Sequence, residues 1–184
     1  MITEVALIVG GGPGISASCA RLFSREGMQV AVAARTPDKP VLQTLASEYG
    51  VQCYPCDARE PKAVADLFRA VTEDLGRPTL VVHNIDGRTK DIFRKDITEA
   101  DPGVVLDTLM NSTYSAFLVG QQAAQSMLAS PLGSDGHRGT IIFTNASKSN
   151  IPGYLIKNGV TYRIISDHLG SLRLVIDVTT GAIM

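Results

Sequence analysis

Residues Val9 to Ser16 read VGGGPGIS, an apolar strand end running straight into a glycine-rich turn. Glu4 to Val9 is short, apolar and closed by glycine, as expected of a parallel strand buried on both faces. Ile15, Cys19, Leu22 and Phe23 then recur at helical spacing and stop at Gly27. A strand, a tight glycine turn and a helix in immediate succession leave few ways to fold. The helix must lie on the sheet and return the chain to a neighbouring parallel strand.

The same alternation continues. Apolar runs at Met28–Ala34, Val51–Cys56, Thr79–Val82 and Thr140–Thr144 predict four further strands. Between them lie helical stripes: Leu42, Leu45 and Tyr49, then Val64, Leu67, Phe68, Val71 and Leu75 behind Pro61 at a helix start. A long helix is expected with Leu109, Thr113, Phe117, Gly120, Ala124 and Leu128 on one face. This order predicts an α/β fold with a doubly wound, Rossmann-type parallel sheet over residues 1–150.

In such a sheet a ligand is expected at the carboxyl ends of the strands, where strand order reverses. Gly10 allows the tight turn, and Gly12 and Gly14 keep side chains out of the way of an approaching pyrophosphate. The N–H groups that open the helix at Ile15 favour its charge. At the end of the second strand an acidic residue would hold the ribose 2′-hydroxyl of NAD. Here Ala34 and Arg35 stand instead, and an arginine can pair the 2′-phosphate of NADP. NADP is therefore the first expectation and NAD the second, and Asp38 ranks below Arg35.

The bulk numbers narrow the class. The 184 residues suit one α/β domain with a small addition, and 45% hydrophobic with 19% charged residues is ordinary for a globular protein. A net charge of −1 gives no electrostatic case for nucleic acid or a membrane surface. No apolar run approaches the roughly 18 residues of a membrane span, and MITEVALIVGGG lacks a signal peptide's pattern, so a cytoplasmic protein is expected. Cys53 and Cys56 form a C-x-x-C on a strand, without the second ligand pair or helix start that metal or redox chemistry needs. No metal is expected. His83, His137 and His168 have no spaced partners and are assigned no chemistry.

Over about residues 4–150 the chain resembles the short-chain dehydrogenase/reductase family. Gly10-x3-Gly14-x-Ser16 is similar to its first-turn motif, with Ser16 in place of the last glycine. VVHNIDG resembles the motif after its fourth strand: Asn84 falls on the asparagine, while Ile85 and Asp86 depart from it. GTIIFTNASKS looks like the fifth strand and serine segment. The resemblance implies an oxidoreductase moving a hydride between a nicotinamide cofactor and a small carbonyl or alcohol. It implies that Asp57 contacts the adenine ring, and that a tyrosine, a lysine, a serine and an asparagine form the catalytic site.

Those catalytic positions match poorly. The asparagine expected five residues before Phe117 is Ser112, so Asn111 should be swung by about 100° around a regular helix. The serine position falls on Ala146, with Ser147 nearest. Tyr-x3-Lys is absent: Tyr162 is followed four residues on by Ser166, and Tyr154 by Asn158. An active protein would have to use Ser147 with Tyr162 or Tyr154, aided by Asn111, and reduced or absent turnover is expected.

From Gly153 the pattern changes to a period of two, with Val160, Tyr162 and Ile164, then Leu172, Leu174, Ile176 and Val178. This predicts a β-hairpin within a tail spanning 151–184. YRIISDHLGSLRLVID resembles the Rhs/YD-repeat family from about Tyr154 to the end, which implies a stacked structural unit with Asp167 and His168 in a turn. A recombined gene, a mis-joined frame and a true fusion all account for the junction. On these resemblances the dehydrogenase family's later strands, substrate loop and main oligomerisation helix are expected to be missing. Three functions follow: an oxidoreductase of reduced activity, a non-catalytic dinucleotide-binding module, or a structural role carried by the tail. Self-association is compatible with each.

Overall fold

The computed structural model describes residues 4–88, 91–92, 96, 98–133 and 136–144, and the backbone of 154–157, 160–166 and 172–177. The chain divides into two compact units, residues 1–145 and 146–184.

In the first unit five strands form one parallel sheet: β1 (Val5–Val9), β2 (Gln29–Ala34), β3 (Gln52–Pro55), β4 (Leu80–His83) and β5 (Thr140–Phe143). Their order is β3-β2-β1-β4-β5. The chain winds outward from β1 to β3, crosses back, and winds outward again from β4. The reversal falls between the adjacent ends of β1 and β4, where Val9 is in register with His83. This is the doubly wound sheet that the alternating pattern predicts.

β1 shows why an unbroken apolar run suits that place. All five of its residues are buried. Val5, Leu7 and Val9 face one cluster with Val64, Phe68, Val71 and Val119, while Ala6 and Ile8 face the other with Ala17, Ala20, Leu42 and Leu45. Alternate side chains thus feed two separate cores. Each large side chain so buried contributes about 1.5–3 kcal/mol by removal from water.

The helices are α1 (Ile15–Arg25), α2 (Pro40–Tyr49), α3 (Pro61–Asp74), α4 (Pro102–Leu109) and α5 (Ser115–Leu128). For α2 and α3 the predicted stripes are the inward faces: Leu42 and Leu45 are buried, as are Val64, Leu67, Phe68 and Val71. The other two stripes need correction. In α1 the buried residues are Ser16, Ala17 and Ala20, whereas Ile15 and Leu22 are exposed. Small residues let this helix approach the sheet closely, so its apolar stripe turns partly outward.

The predicted long helix is two helices joined by a π-helical turn, Met110–Tyr114. A π turn takes one more residue than an α turn, so a stripe counted through it at helical spacing lands on the wrong face. Leu109, Phe117 and Leu128 are accordingly exposed, and Ser115, Leu118, Val119, Ala123 and Met127 are buried instead. α4 begins at Asp101, whose carboxylate caps the N–H groups of Gly103 and Val104.

The second unit contains three antiparallel strands, β6 (Tyr154–Lys157), β7 (Val160–Ser166) and β8 (Leu172–Asp177), in that order. β7 and β8 pair as the predicted hairpin, with Ile164 opposite Val175. β6 adds a strand beyond it, pairing Leu155 with Tyr162. Asp167 and His168 lie outside the described residues.

Candidate functional site

A cleft of about 300 Å³ opens where the sheet reverses, bordered by Gly10–Gly12, the end of β2, the segment after β3, Asn84–Asp86, and Asn111 with Ser115. That volume lies at the lower end of the usual range for small-molecule sites, about 300–1,000 Å³.

Its glycine edge is built for close backbone approach. Gly10 has φ +108°, and a β-carbon there would sit 2.1 Å from the carbonyl oxygen of Asn84. Only glycine lets the end of β1 pass the end of β4. Gly11 is hemmed in by Val32, Ala34 and Leu42. At Gly12 and Gly14 the surroundings are open, since a β-carbon would meet nothing within 4 Å. Gly14 occupies the N-cap of α1, where it offers no side-chain cap. The N–H groups opening at Ile15 therefore form a natural anion seat. Gly12 borders the cleft, whereas Gly14 and Ile15 stand just beyond it at the helix mouth.

Ser16, which replaces a motif glycine, is almost wholly buried. Its hydroxyl donates to the Gly10 carbonyl at 2.6 Å and accepts from Asn84 Nδ2 at 2.6 Å. Asn84 Oδ1 in turn accepts from Thr144 Oγ1 at 2.6 Å. The side-chain amide of Asn84 thus braces the ends of β1, β4 and β5 while the residue borders the cleft. No spacing rule in the sequence reveals that network.

Beyond β2, Arg35 and Lys39 both border the cleft. Lys39 Nζ makes a long contact of 3.4 Å to the Gly11 carbonyl. Among the described residues neither cation forms an ion pair, whereas Arg59 is paired with Asp57 and Arg88 with Asp86. Two cations are therefore available to an anion. Lys39 was hidden in sequence because it lies past a Thr-Pro turn that folds back only in three dimensions.

Asp57 follows β3, and hydrogen bonds from Arg59 hold its carboxyl below the usual range. The C-x-x-C pair is quiet. Burial pushes the Cys56 thiol up to about 11, helped by the Asp57 charge, and burial also raises Cys53. Thiolates, the reactive and metal-binding forms, are suppressed at both. Among the described residues no group of three His, Cys, Asp or Glu side chains is arranged to hold a metal.

At the other end of the cleft the π turn corrects the expected displacement of Asn111. Asn111 borders the cleft, and both its Nδ2 and the Ser112 hydroxyl bond back one turn, to the Asp107 carbonyl at 2.8 Å and the Thr108 carbonyl at 2.6 Å. The turn is pinned from two sides. Ser115 Oγ donates to the Asn111 carbonyl at 2.6 Å and lies 2.8 Å from Nε2 of buried His83. Since the serine proton is used on that carbonyl, His83 Nε2 must donate to Ser115. Gly87 packs against the same turn, where a β-carbon would come 2.5 Å from the Thr108 carbonyl. His83, to which the spacing assigns no chemistry, thus takes a structural part. Ser147 lies outside the described residues. Tyr162 falls in β7 of the second unit, where the backbone alone is described.

Three comparisons bear on this site. A family model described as enoyl-(acyl carrier protein) reductase matches residues 10–157. The chain is 30% identical over 131 residues to a probable 2,4-dienoyl-CoA reductase of Caenorhabditis elegans, covering 67% of this chain and 41% of that protein. It is 29% identical over 155 residues to a (+)-borneol dehydrogenase of Salvia officinalis, covering 82% and 55%. Among solved structures, a short-chain type dehydrogenase/reductase from Mycobacterium marinum superposes with TM-score 0.65 at 27% identity, over 77% of this chain and 56% of that one. An actinorhodin polyketide ketoreductase solved with NADPH gives TM-score 0.64 at 28% identity, over 77% and 52%. The chain spans about half the length of such relatives, or less.

Proposed function

The chain belongs to the short-chain dehydrogenase/reductase family, a family of oxidoreductases, and from that premise we propose that it binds NADP(H) in the cleft and acts on a small carbonyl or alcohol, with turnover reduced or absent. The observation that carries this is the pairing of an uncapped helix mouth with two cations. Gly12 and Gly14 leave room where a side chain would intrude, and Arg35 and Lys39 stand at the edge outside any ion pair of the described residues, with Arg35 near enough to Asp57 to help hold its carboxyl charged. These residues fit a dinucleotide bearing an extra phosphate better than one bearing a bare ribose, for which an acidic residue would be expected. The ketoreductase neighbour solved with NADPH supports the same choice. NAD is the second choice.

A bound nicotinamide supplies hydride chemistry. The chain's own part is to seat the pyrophosphate at Gly10, Gly12, Gly14 and Ile15, hold the adenosine end with Arg35 and Asp57, and brace the cradle through Asn84. Asn111, whose Nδ2 donates to the Asp107 carbonyl at 2.8 Å, would hold a water by its amide oxygen, and Ser147 and Tyr162 are the hydroxyls that the family resemblance offers to a substrate oxygen. Reduced turnover follows from the missing Tyr-x3-Lys, since a tyrosine without its lysine keeps a pKa near 10 and is a weak acid–base group at neutral pH. The tail from Tyr154, with its Rhs-like pattern, is assigned a structural role as a domain of its own. We place the protein in the cytoplasm, and no helix among the described residues is long and apolar enough to cross a membrane.

Parallel fluorescence titrations with NADPH and NADH test the proposal. The wild type is expected to saturate with both and to prefer NADPH. Arg35→Ala should lose about tenfold or more in NADPH affinity, the scale of one charge-assisted contact, while NADH binding changes little. Equal losses for both would remove Arg35 from the 2′-phosphate. For turnover, an assay across carbonyls and alcohols with Tyr162→Phe and Tyr154→Phe is decisive: activity unchanged in both variants sinks the tyrosine role.

A further inference from the structure

Asp86 follows β4 and departs there from the family motif. Its carboxylate borders the cleft and is about half exposed, at 54%. Arg88 holds it on both oxygens. Nη2 donates to Oδ2 at 2.7 Å, Nε to Oδ1 at 2.8 Å, and the backbone N–H to Oδ1 at 3.2 Å. These bonds keep the carboxyl below its usual range, so it carries its charge at neutral pH. A carboxylate offers about four acceptor sites, and these three donors leave room for one more on Oδ2.

Sheet order decides what that donor can be. Arg35 and Lys39 follow β2, on one side of β1, whereas Asp86 follows β4, on the other. With the extra phosphate at those cations and the pyrophosphate at the mouth of α1, the second nucleotide must continue onto the β4 side. The polar side chains bordering the cleft there are Asn84, Asp86, Asn111 and Ser115. Three of them are engaged within the fold. The Asn84 amide bonds Ser16 and Thr144, Asn111 Nδ2 bonds the Asp107 carbonyl, and Ser115 Oγ bonds the Asn111 carbonyl and His83. Of these four, Asp86 brings the charged acceptor. The nicotinamide ribose brings hydroxyl donors, and a carboxylate is a natural partner for a ribose hydroxyl. Building on the dinucleotide reading above, we infer that Asp86 is a specificity-determining residue: its open acceptor site takes a hydroxyl of the nicotinamide ribose and favours ligands that carry this second ribose.

The test measures three ligands by titration calorimetry on the full chain and its variants, with melting temperatures recorded alongside. NADPH is the whole cofactor. The 2′-phosphate of ADP-ribose keeps the second ribose without the nicotinamide, and 2′,5′-ADP ends before that ribose. Asp86→Ala should weaken NADPH and the ADP-ribose compound by roughly five- to tenfold, the scale of one hydrogen bond to a charged but half-exposed acceptor. Binding of 2′,5′-ADP should stay within about twofold, and melting should change little, because the Asp86–Arg88 pair is exposed.

Asp86→Asn gives an independent reading and carries the test if Asp86→Ala does not fold. It keeps the shape and removes the charge, so the two ribose-bearing ligands should again weaken while 2′,5′-ADP does not. If either variant changes all three ligands by the same factor, Asp86 acts through general charge or structure, and the ribose contact is overturned while the dinucleotide site stands. Unchanged or tighter binding of NADPH by both variants would overturn it as well, the second result making Asp86 a repeller of phosphate. If the wild type binds none of the three, the dinucleotide reading falls and this inference with it.

Discussion

The centre of the parallel sheet and its β5 edge are built differently. In the centre the strands are walled in: β1 is buried at every residue, as are Val30–Ala34 of β2 and Val81–His83 of β4. At β5 the pattern breaks, and Thr140, Ile142 and Phe143 are exposed although two of them are large and apolar. The proposed cofactor cradle gathers at the ends of the central strands, its glycines, cations and Ser16–Asn84 brace all belonging to segments up to the one that follows β4. The proposed substrate-side residues Ser147 and Tyr162 come after β5. The proposed cradle thus rests on the enclosed centre of the sheet, and the β5 edge is a more open part of the first unit.

The sharpest way to break that contrast is Gly10→Ala. A β-carbon at φ +108° and 2.1 Å from the Asn84 carbonyl must push β1 and β4 apart. A loss of about 3–5 kcal/mol is expected in denaturant unfolding, the range reserved for strained and overpacked sites. Gly12→Ala, two residues on, has open space and should leave stability within about 0.5 kcal/mol while weakening NADPH binding. A fold loss at Gly12 equal to that at Gly10 would contradict the division between hinge and cradle.

Next in size is truncation at the sheet's centre and at its β5 edge. Leu7→Ala removes a fully buried side chain and should cost about 2–5 kcal/mol. Ile142→Ala removes one that is 41% exposed and should cost under about 1 kcal/mol. Equal losses would show that β5 is as closed as β1.

A smaller effect comes from pH. Burial lowers the pKa of His83, so the folded protein prefers the neutral ring. The unfolded chain then binds more protons, and stability is complete above the unfolded value near 6.5 and declines as pH falls through it. Between pH 7.5 and 5.5 the decline attributable to this residue reaches about 1.4 kcal/mol at most. Comparing wild type with His83→Gln, which keeps a donor for Ser115, should show a flatter profile in the variant. Parallel profiles would remove His83 from the account.

What could be read from sequence divides along similar lines. β1, β2, β4, α2 and α3 were legible because local periodicity and their buried faces agree. The positions of Gly10, Gly12, Arg35, Asp57 and Asn84 at the cleft were legible because strand ends in a doubly wound sheet must converge. Lys39, Arg59 and Thr144 were not, because they reach the site through folded-back turns and cross-strand bonds that leave no spacing signature. The α5 face was misread because helical counting assumes a constant pitch, and the π turn changes it. An Asp-Pro pair at 101–102 could have announced the start of α4, as a cap followed by proline at the first helical position.

The most direct test of the central contrast is hydrogen exchange on the full chain, with and without saturating NADPH. Without cofactor, amides of β1 and β2 should exchange only by global unfolding, and those of β5 by a cheaper local opening. NADPH should slow exchange at the Gly10–Ser16 turn and the segment through Lys39, and leave β5 unchanged. Protection of β5 equal to that of β1 without cofactor, or NADPH protection spread evenly over centre and β5 edge, would contradict a cradle on an enclosed centre with an open β5 edge.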